Sequence, residues 1–548
     1  MGDSAALELG SNSPFHHLLH TNYIPTADEA LRIRELCAKP RQELHRLEEA
    51  ITRTQARLHD LQREHRSIKT LVDAHVALLS PMRNLPPEVL QLIFIKSLPS
   101  DRNAVIHASE APLLLGRVCS GWRRIAFATP ELWASVHVVC PPMDYAESAS
   151  PRTRTQRQAM EAWLARSGAC PLSVSIWVSR EAGFGGAAVA AASPFVEAIL
   201  PLSHRWKNIE LRVPTDSLDS FHYLQGSDVP LLQTVAITNG GSLARDDWSA
   251  NLLFLQHAPR LRTLSLTHEG NVNLPSFPWV QLTALSLSPT QEFFGLDTEM
   301  TLTILSQCIN LRTCTLHFPP SDQASPSSPP RVFTLPRLSV LAVRATNFPD
   351  TDYALSDMFD SLILPALQTL EVEDRNGDLD IFSALSRLLS RSPCHLRRLK
   401  LNDITAAADD LIDLLSLQSL RSLTELVVHD RGRDWRDDGG YMLSDALLRA
   451  MTHDSTLCPN LLTVKFAQCS DFSDEMLLEF LTSRSRPAPD TGVRLQTAEI
   501  SIDRAIEFEF DRDAAVRQLA EDGLQVVIRH EDDSWDVRVS PWEGLSPE

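Results

Sequence analysis

This 548-residue chain lacks the paired cysteines, the basic excess and the signature loops that would point to several common functions. Its nine cysteines contain no CxxC. An odd count without a secretory signal speaks against a disulfide framework, so they are expected to be reduced, small packing residues. Positive charge is also short: 51 Lys and Arg stand against 70 Asp and Glu, a formal net charge of −19. An acidic chain repels phosphate backbones and anionic lipids, so no nucleic acid and no membrane is expected as partner. No apolar run is read as long enough to span a membrane, and the opening MGDSAALELG has neither a basic n-region nor an apolar h-region. Ala6 stands where a myristoylation signal after Gly2 carries Ser or Thr. A cytoplasmic or nuclear setting is the expectation. Phosphate loops, GxSxG and HExxH are missing, and the GFGG around Phe184 lacks a strand before it and a helix after it. His16, His17 and His20 have no Cys or carboxylate partner nearby. The reading is therefore no enzyme, no cofactor and no metal site.

What the chain does have begins at Leu85. LPPEVLQLIFIKSLP opens with Pro86 and Pro87, which suit a first helical turn, and Val89, Leu90, Ile93 and Phe94 then form one apolar face. After a polar insert, Leu114, Leu115, Val118, Trp122 and Ile125 repeat that pattern as a second helix with Cys119 inside it. Thr129-Pro130 is read as the cap of a third helix carrying Leu132 and Trp133. Three short helices bury little alone, so part of this face is expected to meet another surface.

Before that segment, Leu44, Leu47, Ile51, Leu58, Leu61, Ile68, Val72 and Leu79 keep a seven-residue alternation, with Thr54, His65 and His75 on the same seam. This predicts a heptad helix, either self-associating or folded within the chain. After Trp133 comes SVHVV and then PPMDYAESASPRTRTQ, read as a linker whose Arg152–Arg157 run is solvated.

Beyond it the unit LxxLxL recurs: Leu261-Leu264-Leu266, Leu282-Leu285-Leu287, Leu338-Leu341-Val343, Leu367-Leu370-Val372, Leu396-Leu399-Leu401 and Leu423-Leu426-Val428. Weaker copies start at Trp206, Leu232, Leu311, Leu461 and Leu495, with an outlying strand at Leu172. From Trp206 the starts advance by 26, 29, 21, 29, 27, 29, 29, 27, 38 and 34 residues, mostly the leucine-rich-repeat period. The fold class expected is α/β: an N-terminal helical segment followed by a solenoid with a parallel concave sheet and helices such as 381–389 and 474–481 on its convex side. Ala514–Glu521 and Leu524–Arg529 read as its closing helix and strand.

The segment from Leu85 to Trp133, in the order LPPEVL, LIF, VCSGW, PELW, resembles the F-box. With a heptad helix before it and irregular leucine-rich repeats after it, the chain is similar to a large group of fungal F-box proteins. The resemblance implies that Leu85, Pro86, Val89, Leu90, Ile93, Phe94, Val118 and Trp122 form or support a contact with the Skp adaptor, and through it a cullin. The repeats would then hold a protein target for ubiquitination. The alternative is a scaffold that binds the adaptor without a ligase role. The expected organisation is a disordered 1–25, a coiled-coil helix 26–80, an F-box-like segment 81–135, a linker and first strand 136–165, a solenoid 166–530 and an acidic tail 531–548. Target-binding candidates are Arg262, Arg312, Arg398 and Lys400 on the repeats, since guanidinium pairs with carboxylate or phosphate, and Trp248 and Trp435 in charged loops.

Overall fold

The computed structural model describes residues 13–19, 21–141, 151–179, 186–239, 249–268, 277–289, 298–318, 332–345, 355–375, 380–404, 406–430, 441–454, 456–469, 471–486, 493–502, 514–521 and 523–529. They fall into two compact units, Met1–Val89 and Leu90–Glu548.

The first unit is dominated by one helix, α1 (Ala27–Leu78). Its start is fixed by a reciprocal box: the Thr26 amide donates to the Glu29 carboxylate at 2.8 Å, and the Glu29 amide donates back to the Thr26 hydroxyl at 3.4 Å. Bonds from the Thr26 amide and hydroxyl and from the Tyr23 hydroxyl hold the Glu29 carboxyl below the usual carboxylate range. Pro40 lies inside the helix, where it withholds one backbone donor. The heptad residues Leu44, Leu47, Ile51, Leu58, Leu61, Ile68 and Val72 are all exposed. The helix α2 (Pro87–Lys96) starts in this unit and ends in the second.

In the second unit a parallel fourteen-stranded sheet runs in sequence order. Its strands are β1 (Ser135–Cys140), β2 (Leu172–Val178), β3 (Trp206–Val213), β4 (Thr234–Asn239), β5 (Thr263–His268), β6 (Ala284–Pro289) and β7 (Thr313–Phe318). They continue as β8 (Val340–Ala345), β9 (Thr369–Asp374), β10 (Arg398–Asn402), β11 (Glu425–His429), β12 (Thr463–Cys469), β13 (Thr497–Ile502) and β14 (Gln525–Arg529). The repeat leucines are what sets the register. Val235, Leu264, Leu285, Cys314, Leu341, Leu370, Leu399, Leu426, Val464 and Ala498 stand directly across from one another on successive strands. Each is buried. The first leucine of each unit, from Leu261 to Leu495, is buried as well, so every repeat closes its neighbour's core.

The crossovers carry 3-10 turns between β3 and β6 and mostly α-helices elsewhere. The helices include α5 (Pro151–Arg166), α6 (Gly186–Ile199), α9 (Ile381–Arg391), α11 (Asp445–His453) and α12 (Asp474–Ser485). The numbers between them belong to α7 (Thr298–Gln307), α8 (Leu355–Asp360) and α10 (Ala408–Leu415), and α13 (Ala514–Glu521) precedes the last strand. The architecture is therefore the expected α/β solenoid.

Several local readings are corrected. Residues 151–166 form α5 rather than a solvated linker, because Met160, Trp163 and Leu164 share one buried face beneath the arginines. Gly186–Arg205 is, by length and composition, apolar enough to cross a membrane, contrary to expectation. Its Ala188, Ala191, Ala192, Phe195, Val196 and Ile199 are buried, which makes it a core helix of this unit. The second helix of the 85–133 segment is split into α3 (Leu115–Val118) and α4 (Ser120–Phe127). Cys119 is extended between them and caps α4, its sulfur accepting from the Trp122 amide at 3.4 Å. Thr129 does not cap the following Pro130–Trp133 turn, since its hydroxyl donates back to the Ile125 carbonyl at 2.8 Å.

The polar insert is also structured. The His137 amide donates to the Ala104 carbonyl at 2.7 Å, and Asn103 bridges the Ser135 and Ser175 hydroxyls at 2.8 and 3.0 Å. Arg102 pairs with Glu110 beside them. The insert thus covers the start of the sheet, an edge that would otherwise offer free backbone groups.

Candidate binding surfaces

The first candidate surface lies on the short helices. Within the second unit, the Phe94 side chain is fully buried and its ring meets the Trp122 ring with centroids 4.8 Å apart, which ties α2 to α4. Leu90 is only 5% exposed. These residues, read from the sequence as contact anchors, are spent largely on packing. Trp122 keeps partial exposure. Arg123 adds a second tie, its Nε donating to the Gly116 carbonyl at 2.7 Å and locking α4 onto α3. Trp133 is wholly inside: its indole N–H donates to the Ala126 carbonyl at 2.8 Å, its ring meets Trp163 at 4.9 Å, and the Arg166 guanidinium sits 5.0 Å from its centroid. Short helices with no core of their own are thereby fastened to α5 and to β1.

The same fastening leaves apolar side chains in water. Leu92 is 63% exposed, Ile93 40%, Leu114 44% and Val118 56%. Ile93 and Val118 were expected here, while Leu92 and Leu114 were missed. Leu92 lies off the Val89-Leu90-Ile93-Phe94 face drawn from the sequence, and Leu114 belongs to the apolar face of the second helix without being among the expected adaptor contacts. In the first unit, Leu85 is half-buried, Pro86 is exposed and Val89 is 39% exposed.

The second candidate surface is the outward face of the sheet. Over β4 to β7 its residues are small and uncharged: Ala236, Ser265, Ser286 and Thr315 stand in one row and Thr234, Thr263, Ala284 and Thr313 in the next. These rows continue uncharged through Ala342 and Val340 of β8 and carry charge from β9 onward, as does the next row from Arg344, and the charges meet each other. Arg344 lies 3.5 Å from Glu373, and Arg375 lies 3.3 Å from Glu373 and 2.9 Å from Asp403. Arg398 lies between Glu371 at 3.5 Å and Glu425 at 3.1 Å, and Lys465 meets Glu499 at 3.0 Å. Arg398 is thus flanked by two carboxylates instead of being held free for a target. Lys400 sits across from Glu371 on one side and Val427 on the other.

Arg262 and Arg312 are exposed at the entry edge of β5 and β7. Their backbones belong to one hydrogen-bonded row, in which the Thr283 amide donates to Arg262, the Arg312 amide to Thr283, and the Ser339 amide to Arg312. Trp248 and Trp435 lie outside the described residues.

Cys119 is an exposed thiol on the short helices, where its sulfur accepts from the Trp122 amide, while Cys140, Cys308, Cys314 and Cys458 are buried. Burial pushes the Cys308 and Cys458 thiols up to about 12, and raises those of Cys140 and Cys314 further, so none of the four is a thiolate near neutral pH. Among the described residues, no three His, Cys, Asp or Glu side chains are placed to share a metal ion. What these faces offer is shape, apolar area and charge.

No protein-family model and no curated protein matches the sequence. Among solved structures, the chain is similar to one in the crystal structure of the Rad7 and Elc1 complex in yeast, with a TM-score of 0.36 and 13% identity over 78% of this chain and 96% of that one.

Proposed function

We propose that the chain is a non-catalytic substrate receptor of a Skp-cullin-F-box ubiquitin ligase. Residues 85–133 bind the adaptor, and the leucine-rich solenoid holds a protein target. One observation carries the reading: the segment that resembles the F-box keeps Leu92, Ile93, Leu114 and Val118 in solvent, while Phe94 and Trp122 lock its helices together and Trp133 fastens it to α5. Exposed aliphatic residues on well-anchored short helices suit a partner that supplies the missing half of a core. The receptor accelerates transfer by holding the target close to the conjugating enzyme.

Reconstitution with a Skp adaptor, a cullin and a ubiquitin-conjugating enzyme tests this. Ubiquitin should pass to a protein captured by the solenoid, and the Ile93→Asp, Val118→Asp double variant should abolish transfer while remaining folded. Adaptor binding without any cullin recruitment or transfer would instead mark a scaffold.

A further inference from the structure

α1 carries an apolar seam that nothing in its own unit covers. Leu44, Leu47, Ile51, Leu58, Leu61, Ile68 and Val72 are each 45–60% exposed. They occupy the two alternating core positions of the heptad, with Thr54, His65 and His75 as the polar members of the same line. The flanking charges are informative. Glu43 is already engaged by Arg46 at 2.7 Å, whereas Arg57, Glu64 and Lys69 have no ion-pair partner among the described residues.

The occupant of such a seam must bring apolar residues at heptad spacing and charges that answer Arg57, Glu64 and Lys69. A second copy of α1 supplies both, and one orientation answers all three charges. Side by side and parallel, it sets Thr54, His65 and His75 each against its own copy, and on the flank it pairs Glu64 with Lys69 but opposes Glu43 to Glu48 and leaves Arg57 against Gln62. Run antiparallel about a centre between His59 and Asp60, it layers Leu47 on Val72, Ile51 on Ile68 and Leu58 on Leu61. Of the three polar members, Thr54 and His65 then share a layer and His75 meets Leu44. On the flanks Arg57 faces Glu64, and Glu48 lies beside Lys69.

Sliding this arrangement by one heptad either way destroys the match. One slip opposes Arg57 to Arg57, and the other Glu64 to Glu64. The matched register also begins just past Pro40, which withholds a backbone donor from the helix. The overlap 41–78 is about 57 Å long and about 11 Å wide, roughly 1,200 Å² over the two copies, which reaches the lower bound for a specific interface.

We propose that α1 is a homodimerisation element that pairs antiparallel in this register. The two chains then leave the helical pair at opposite ends, with their Leu78 residues about 55 Å apart. This inference stands independently of what residues 85–133 bind.

Single-cysteine variants of the full chain test it. Leu47→Cys and Val72→Cys chains carrying different tags are mixed, reassociated and mildly oxidised, with the unsubstituted chain as background. A disulfide-linked heterodimer should form, and neither variant should cross-link with itself. Arg57→Glu should weaken the dimer about tenfold in sedimentation equilibrium, and adding Glu64→Arg should restore it. A chain that stays monomeric at micromolar concentration, or a Leu47→Cys chain that cross-links alone, overturns the proposal.

Discussion

Leucine does two different jobs in the two ends of this molecule. In the repeats, Leu264, Leu370, Leu399 and Leu426 are fully buried, each aligned with the equivalent residue of the next strand. In α1 and the short helices after it, Leu44, Leu58, Leu92 and Leu114 stand in water. Composition does not separate these groups; spacing does. An LxL pair recurring at the repeat period finds its partner one turn of the solenoid away. The heptad leaves its seam uncovered within its own unit, and the short helices bury one face while Leu92 and Val118 stay exposed. The buried set measures stability, and the exposed set is where we propose that other proteins are met.

Substitutions should split along that line. Leu370→Ala, at the centre of the array, should destabilise the solenoid by about 2–5 kcal/mol, because a cavity opens between two repeats that cannot collapse onto it. Chemical denaturation would read this as a lower midpoint. If its midpoint stays at the wild-type value, the repeat cores are looser than described.

Next comes Arg484, whose guanidinium donates to the Met451, Leu457 and Cys458 carbonyls at 2.6–3.4 Å. Burial lowers its pKa, yet it stays charged. Arg484→Ala should cost roughly 3 kcal/mol by leaving part-buried acceptors without donors.

Leu92→Asp belongs to the other set. It should leave the thermal midpoint within error of wild type and still remove adaptor binding. A variant that unfolds would show that Leu92 is a core residue after all.

The smallest effect is expected from Asp360. Its carboxyl is held below the usual range, first by the hydrogen bonds from Arg387 at 2.7 and 2.9 Å and then by Arg391. A carboxyl with a depressed folded pKa contributes stability above its unfolded pKa and loses it as pH falls through the folded one. The contribution should therefore be complete at neutral pH and fade below about pH 4. Because Arg387 is nearly half exposed, Asp360→Asn should cost no more than about 1 kcal/mol at pH 7, and nothing in strong acid. Comparing denaturation midpoints of the two proteins across that range checks the sign.

Much of this was legible in the sequence because the repeat leucines specify both strand and register. The solenoid, its closing helix at Ala514–Glu521 and its last strand follow directly from that spacing. The helix α5 was hidden by Pro, Ser and Arg in the segment before Met160, where polarity masked the buried face of Met160, Trp163 and Leu164. The break at Cys119 was hidden too, since a cysteine sulfur is a weak acceptor and not a usual helix cap. Arg398 shows a third limit: its partners Glu371 and Glu425 lie one repeat away on either side, so sequence reveals the charge and only the sheet reveals its neutralisation. On the short helices the same limit applies to Phe94 and Trp122, whose mutual packing decides which neighbours are left outside.

The central claim, that the exposed aliphatic residues of the short helices bind a Skp adaptor, is tested most directly by titrating purified adaptor into the full chain in a calorimeter. The wild-type chain should bind, and the Ile93→Asp, Val118→Asp double variant should lose at least about 30-fold in affinity, a change of roughly 2 kcal/mol, with an unchanged thermal midpoint. A wild-type chain that gives no binding heat at several temperatures and does not co-elute with adaptor, or a folded double variant that binds as tightly as wild type, would contradict the account.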